Sequence, residues 1–269
     1  MKLKDTVIVI TGGASGIGRI MGRRALEMGA KAIAVWDINA DNLATVVEEH
    51  SKIGLAKGYR VDVSDYDAVQ KAYSETVADL GPVDVLINNA GIVTTNKTFD
   101  LNTKQDIDRT ITINTVAPMY VALAMLPDMI KRDRGHICNI TSAAGLLSMP
   151  RMSVYSASKW AAMGWSDSIR IELKEKKSHV NVTTSAPYFI NTGMFDGVKS
   201  WFFPILKPEE AAARVLRAIE RNKRFQGMPF AFRFARLMQG ILTMRMADFI
   251  FGEVFGIYHA MDHFTGRKK

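Results

Sequence analysis

Six times between residues 6 and 184, a short run of aliphatic and β-branched residues gives way to a longer stretch of helical spacing. The runs are 6–10, 32–36, 59–61, 83–87, 136–140 and 180–184. Several are apolar at consecutive positions, as in a strand buried on both faces. The stretches between them, 16–28, 41–52, about 65–80, 104–130 and 153–176, repeat apolar residues every three or four. Parallel neighbours in a sheet need a crossover connection, and a helix supplies one. The alternation therefore predicts one α/β domain over 1–269, a doubly wound parallel sheet with helices on both faces. No linker, repeat or low-complexity tract divides it. Ligands in such sheets bind beyond the carboxyl ends of the strands, so each strand end is a place to look for chemistry.

The chain is 48% hydrophobic, enough for a large core. Its one cysteine, Cys138, excludes an internal disulfide framework and fits a reducing compartment. The charged residues 1–5 precede an apolar run, 7–10, far too short for a secretory signal, and a cytoplasmic location is expected. A formal net charge of +8 raises nucleic acid or acidic lipid as a partner. A basic soluble surface accounts for the charge, and no aromatic–basic interleaving of an RNA-reading sheet is visible. No nucleic-acid partner is expected.

The first run ends in Thr11-Gly12-Gly13-Ala14-Ser15-Gly16-Ile17-Gly18 and leads straight into a helix. Glycines there let the chain reverse tightly, let backbone approach a phosphate, and let helix and strand touch. The helix N-terminus offers unpaired N–H groups to a pyrophosphate. Asp37 closes the second run, nineteen residues after Gly18. Alone it reads as a turn residue; behind this glycine turn it reads as an acceptor for ribose hydroxyls that repels a 2′-phosphate.

Tyr155 and Lys159 stand four residues apart, on one helix face. By itself such a pair is a common surface accident. Its weight comes from Ser142, thirteen residues before Tyr155 at the end of the fifth run, and from Asn114 within the long helical stretch. In this order, Asn114, Ser142, Tyr155 and Lys159 resemble the catalytic tetrad of short-chain dehydrogenases/reductases. The Gly-x3-Gly-x-Gly spacing of Gly12, Gly16 and Gly18 resembles that family's fingerprint. So do Asp62-Val63 after the third run and Asn88-Asn89-Ala90-Gly91 after the fourth. The resemblance covers roughly residues 5–222.

It implies a Rossmann-like sheet of about seven strands and an NAD-dependent oxidoreductase. Gly12, Ser15, Gly16, Ile17, Gly18, Asp37, Asp62, Val63, Asn89, Ala90 and Gly91 would then bind the cofactor, with Tyr155 and Lys159 at its nicotinamide end. Tyr155 would be the general acid/base. A free tyrosine titrates near 10, and Lys159 with the oxidised nicotinamide would favour its anion. Ser142 would hold the substrate oxygen, and Asn114 a water beyond Lys159. Ile38 after Asp37, where an arginine would aid a 2′-phosphate, points to NAD over NADP. No metal is needed, and five scattered histidines give no ligand set.

After the sixth run, Pro187, Ile190 and Thr192 match the family segment that orients the nicotinamide carboxamide. Tyr188 replaces its usual glycine. The segment 188–195 resembles the retinol dehydrogenase/17β-hydroxysteroid dehydrogenase branch. A lid is expected at about 193–206, carrying Val198, Trp201, Phe202, Phe203 and Ile205 over an apolar substrate. Leu146, Leu147, Met149 and Met152 are expected to line the same pocket. The expected function is hydride transfer between NAD and a hydrophobic secondary or long-chain alcohol or ketone, steroid- or retinoid-like. The alternatives are a biosynthetic carbonyl or ketoacyl reductase, which Asp37 disfavours, and a non-catalytic dinucleotide-sensing regulator, which has no use for the tetrad.

The extension at about 225–269 is rich in Met and Phe, and residues 221–269 hold nine Lys/Arg against three Asp/Glu. A seventh strand with oligomer contacts, a cover for the substrate entrance, and a basic amphipathic anchor on acidic lipid are its three readings. The family's habit of assembling through its late elements places the first two ahead, with a homodimer or homotetramer expected.

Overall fold

The structure, a computed structural model, describes residues 1–266. The last three residues of the expected C-terminal extension lie outside the described residues. Seven parallel strands form one sheet: β1 (Val7–Thr11), β2 (Ala32–Asp37), β3 (Leu55–Arg60), β4 (Val85–Asn88), β5 (His136–Ile140), β6 (Asn181–Pro187) and β7 (Phe225–Met228). Their spatial order is β3-β2-β1-β4-β5-β6-β7. The order reverses direction between β1 and β4, the switch point at which such sheets open a crevice.

Side chains alternate across the sheet, and each face has its own core. Ile8 and Ile10 of β1 join α1 (Gly16–Glu27), α2 (Ala40–Ser51) and α7 (Pro208–Glu220) on one side. Val7 and Val9 join α3 (Tyr66–Leu80), α5 (Ala117–Lys131) and α6 (Ser153–Glu175) on the other. Both sets are shut from solvent, which is why β1 lacks the polar alternation of a one-sided strand. Each such aliphatic side chain contributes roughly 1.5–3 kcal/mol by burial.

The strand starts differ most from expectation at β3. It begins at Leu55, although Leu55, Lys57, Gly58 and Arg60 are exposed and only Ala56 and Tyr59 are buried. As an edge strand it sends only Ala56 into one core and Tyr59 into the other, so its sequence lacks the continuous run of β1.

The stretch expected to be one helix, 104–130, is α4 (Lys104–Ile111), a π-helical turn (Thr112–Val116) and α5 in unbroken succession. Thr103 and Asp106 cap its start reciprocally. Its length and composition would suit a membrane span, but Val121, Met125 and Met129 belong to the core against the sheet.

The tail provides β7, the seventh strand. Two short helices follow, α8 (Ala235–Ile241) and α9 (Met244–Asp248). Ala235 of α8, with Phe232 and Phe251 from the turns on either side of the pair, joins a third cluster with Leu146, Leu147, Met149, Met152, Tyr155, Tyr188, Phe189 and Val198.

Candidate active site

The glycine turn is held open by its neighbours. Gly12 and Gly16 have φ of +60° and +53°, the left-handed region that favours glycine. A Cβ on Gly18 would come within 2.4 Å of the Gly12 carbonyl, so only glycine lets α1 start there. Asn89 staples the turn to the end of β4: its Nδ2 donates to the carbonyls of Thr11 and Gly12, each at 3.0 Å. In return Thr11 Oγ1 accepts from the Asn89 and Ala90 N–H groups at 3.0 and 3.1 Å. Ser15 precedes α1 but its side chain does not cap the helix.

Asp37 ends β2 beside this turn. One carboxylate oxygen accepts from the Ala14 N–H and the other from the Asn39 N–H, both at 3.0 Å. Ile38 is exposed next to it. The Asp62 carboxylate accepts from the Ser64 N–H at 2.9 Å.

The four residues expected to be catalytic converge from three places in the chain: the π turn, the end of β5 and α6. Asn114 sits inside the π turn, buried, and its amide is engaged by protein. Oδ1 accepts from the Ile92 N–H at 2.8 Å, while Nδ2 donates to the Ile92 carbonyl at 2.9 Å and to Ser158 Oγ at 3.2 Å. Ser142 follows β5, and its Oγ accepts from the Ala144 N–H at 3.1 Å. Tyr155 and Lys159 project from successive turns of α6 and are 8% and 5% exposed. Lys159 Nζ lies 5.6 Å from the Tyr155 ring centroid and 3.4 Å from the Ile140 carbonyl, to which it donates.

Burial dominates the electrostatics here. It pushes the Tyr155 phenol up to about 12, and a hydrogen bond with Ser142 opposes that only in part. It pulls the Lys159 ammonium down to about 8. Burial thus opposes the tyrosinate that Lys159 and the oxidised nicotinamide are together expected to favour.

Every residue expected to bind the cofactor lines one cavity of about 420 Å³, except Gly18. Gly18 is instead packed against the turn, and Asn114 stands behind the wall, holding the loop at Ile92. Ser142 lines the cavity with Tyr155 and Lys159. Asn39, Asn42, Ile92, Ile113 and Thr141, which no motif in the sequence marks, also line it. Gly145 is likewise unmarked, and a Cβ there would stand 2.7 Å from the Lys159 carbonyl. The signal was a glycine three residues after Ser142, but nothing local says which helix it must meet.

The substrate end departs from expectation in part. Leu146, Leu147, Met149 and Met152 are buried in the third cluster rather than on the cavity wall, which Tyr188, Met194 and Phe195 form. Val198 and Phe203 of the expected lid point inward, whereas Trp201 is 71% exposed and Phe202 and Ile205 are also exposed. Phe202 stacks on Phe255 at 4.4 Å, so the segment expected to be a lid rests on the C-terminal segment. Tyr188 takes no left-handed backbone, the positive-φ residues other than glycine lying elsewhere. Its ring stacks on Phe232 at 5.3 Å and meets Phe189 and Phe203, and its hydroxyl reaches Ser200 Oγ at 3.3 Å. Among the described residues no cluster of three or more His, Cys, Asp or Glu could hold a metal ion.

A parallel sheet, a glycine turn at its switch point and a buried tyrosine–lysine pair in the same cavity define a class of oxidoreductase, and the comparisons agree. Residues 6–202 match the family described as short chain dehydrogenase, and the chain belongs to it. Human epidermal retinol dehydrogenase 2 is 32% identical over 98% of this chain and 86% of its own length. Human estradiol 17-beta-dehydrogenase 11 is 31% identical over 89% of this chain and 80% of its own. The fold superposes on a short chain dehydrogenase/reductase from Burkholderia phymatum, crystallised in complex with NAD. The TM-score is 0.81, at 24% identity over 89% of this chain and 95% of that one.

Proposed function

We propose that this oxidoreductase is an NAD-dependent dehydrogenase of hydrophobic secondary or long-chain alcohols, steroid- or retinoid-like, with Tyr155 as general acid/base. One observation carries the reading. The cavity runs from Asp37, beside the glycine turn, to Tyr155, whose ring meets Phe195 edge-on at 6.1 Å in an apolar cluster.

The residues present fit a dinucleotide. Gly12 and Gly18 lack the Cβ atoms that would clash with Ala90 and the turn, leaving backbone N–H groups at the uncapped start of α1 for a pyrophosphate. Ser15, Gly16 and Ile17 would contribute to that cradle, Asp37 would accept from the adenosine ribose, and Asp62, Val63, Asn89, Ala90 and Gly91 would border the adenosine side. Pro187, Ile190 and Thr192 would orient the carboxamide. When bound, oxidised NAD supplies the hydride acceptor and a positive charge that opposes the effect of burial on the phenol. The chain's own part is to hold the substrate oxygen between Ser142 and Tyr155 and, once the phenol has released its own proton to solvent, to take the alcohol proton onto the Tyr155 oxygen. Lys159 supports that proton movement from the next turn of α6, and Asn114 positions the loop through Ile92.

The names of the retinol and estradiol dehydrogenases support an apolar substrate. A buried, solitary Cys138 supports a reducing, cytoplasmic setting. Exposed Leu123 of α5 and Trp160 and Ile171 of α6 support self-association. The same reading treats 193–206 as a lid that opens and closes on the C-terminal segment.

The test is NADH formation from retinol, steroid alcohols and short alcohols, with NAD and NADP in parallel. Turnover of a bulky apolar alcohol, with NAD preferred and lost in Tyr155→Phe, is the expected result. Activity of more than a few per cent in Tyr155→Phe overturns the role of Tyr155. Turnover of small polar alcohols alone overturns the substrate class.

A further inference from the structure

The helix α8 is apolar on two sides. Inward, Ala235, Met238 and Leu242 belong to the cluster that holds Tyr155 and Tyr188. Outward, Phe234, Leu237 and Ile241 recur at helical spacing and are 50%, 59% and 70% exposed. The exposed surface continues at Met244, which is 85% exposed. Large apolar side chains gathered at such exposure need a partner.

The charge around them states its sign. Between Pro229 and Ala247 the chain has three arginines and no acidic residue. Arg236 is paired with Asp167 of α6, while Arg233 and Arg245 form no ion pair among the described residues. Arg233 lies over the exposed Phe230 ring, 5.0 Å from its centroid. The next acid along the chain, Asp248, accepts a hydrogen bond from Tyr258. A second copy of this chain is a poor occupant. A two-fold contact sets a patch against itself and would bring the unpaired Arg233 and Arg245 of one copy towards those of the other. Apolar side chains among unpaired arginines match an anionic bilayer, with its apolar interior and negative headgroups.

We propose that Phe234, Leu237, Ile241 and Met244, with Arg233 and Arg245, form a docking surface for an anionic lipid membrane. Docking there sets the substrate end of the cavity beside the bilayer, because the other side of α8 closes the cluster around Tyr155. That consequence rests on the apolar-alcohol reading above; the docking itself does not.

The test is co-sedimentation of the full chain with phosphatidylcholine vesicles, plain or containing about one third phosphatidylserine, at low and high salt. The protein is expected to pellet with the anionic vesicles, to stay in solution with the plain ones, and to be released by salt. The double variant Leu237→Glu/Ile241→Glu should lose about tenfold or more in partitioning, and Arg233→Glu/Arg245→Glu likewise. Both should keep the circular dichroism melt of the parent and its turnover of a short water-soluble alcohol. Because sedimentation is read without turnover, it stands even if the substrate class is wrong. No pelleting with anionic vesicles, or equal pelleting of parent and variants, overturns the proposal. So does gel filtration in which the parent is a dimer and the leucine–isoleucine variant a monomer, since a second copy would then cover the face.

Discussion

Both backbone groups of Ile92 are held by one side chain, the amide of Asn114, which accepts from the N–H and donates to the carbonyl. The loop after β4 thereby follows the long helix rather than moving freely over the cavity. Asn114→Ala leaves both groups unpaired in a partly buried place, at a cost of about 1–3 kcal/mol. Thermal unfolding should show that loss, and NADH titration should show weakened binding. Asn114→Asp keeps the acceptor alone and should fall between the two.

The acceptors at the end of β2 predict a change of cofactor. Asp37→Ser removes the carboxylate facing the cavity, and Ile38→Arg adds a cation beside it. The double variant should shift the ratio of kcat/KM for NADP over NAD upward by about a hundredfold, on the order of 3 kcal/mol. An unchanged ratio would show that Asp37 serves only the Ala14 and Asn39 N–H groups.

Lys159 predicts a pH dependence of stability. Its folded pKa, about 8, lies below the ordinary 10.5, so the folded protein binds fewer protons between those values. The penalty for burying the ammonium is fully present below pH 8 and is relieved as pH rises. Tyr155 acts in the opposite sense, but only above pH 10, where its unfolded form ionises first. From pH 8 to 10 this lysine should therefore raise the stability of the cofactor-free protein by on the order of 2 kcal/mol. Calorimetry of the parent against Lys159→Met isolates it: the difference between them should shrink over that window.

Tyr188 predicts a split between binding constants. Tyr188→Phe removes only the bond to Ser200 on the lid segment. KM for a bulky alcohol should rise while NADH affinity stays the same. Tyr188→Gly, which restores the residue usual in the family, empties a ring that packs against Phe189, Phe203 and Phe232. It should cost about 3–5 kcal/mol in a denaturant titration.

The parts legible in the sequence share a physical cause. The strands β1, β2 and β5 are buried on both faces, so their apolar runs stand out without knowledge of neighbours. The glycine turn and the Tyr155–Lys159 pair are local, one spaced by a turn and the other by a helix. What escaped was set by distant contact. The start of β3 depends on pairing with β2 along an edge. Whether Leu146 and Met149 face the cavity or the core depends on α8, nearly a hundred residues later. The exposure of Leu237 and Ile241 could not be told from burial, because a helix apolar on two sides has the composition of a core helix.

The π turn at Thr112–Val116 fits one residue more into its turn than an α-helix would. That surplus residue makes the interval from the Thr103 cap to Pro118 a fixed count. Deleting one residue from the start of α5, with the π turn kept, would swing everything upstream, Asn114 included, by about 100°. Asn114 and Ile92 would then part, or α5 would leave α3. A change of length in the loop before Thr103 leaves that register untouched, whereas one residue more or fewer in α5 breaks it.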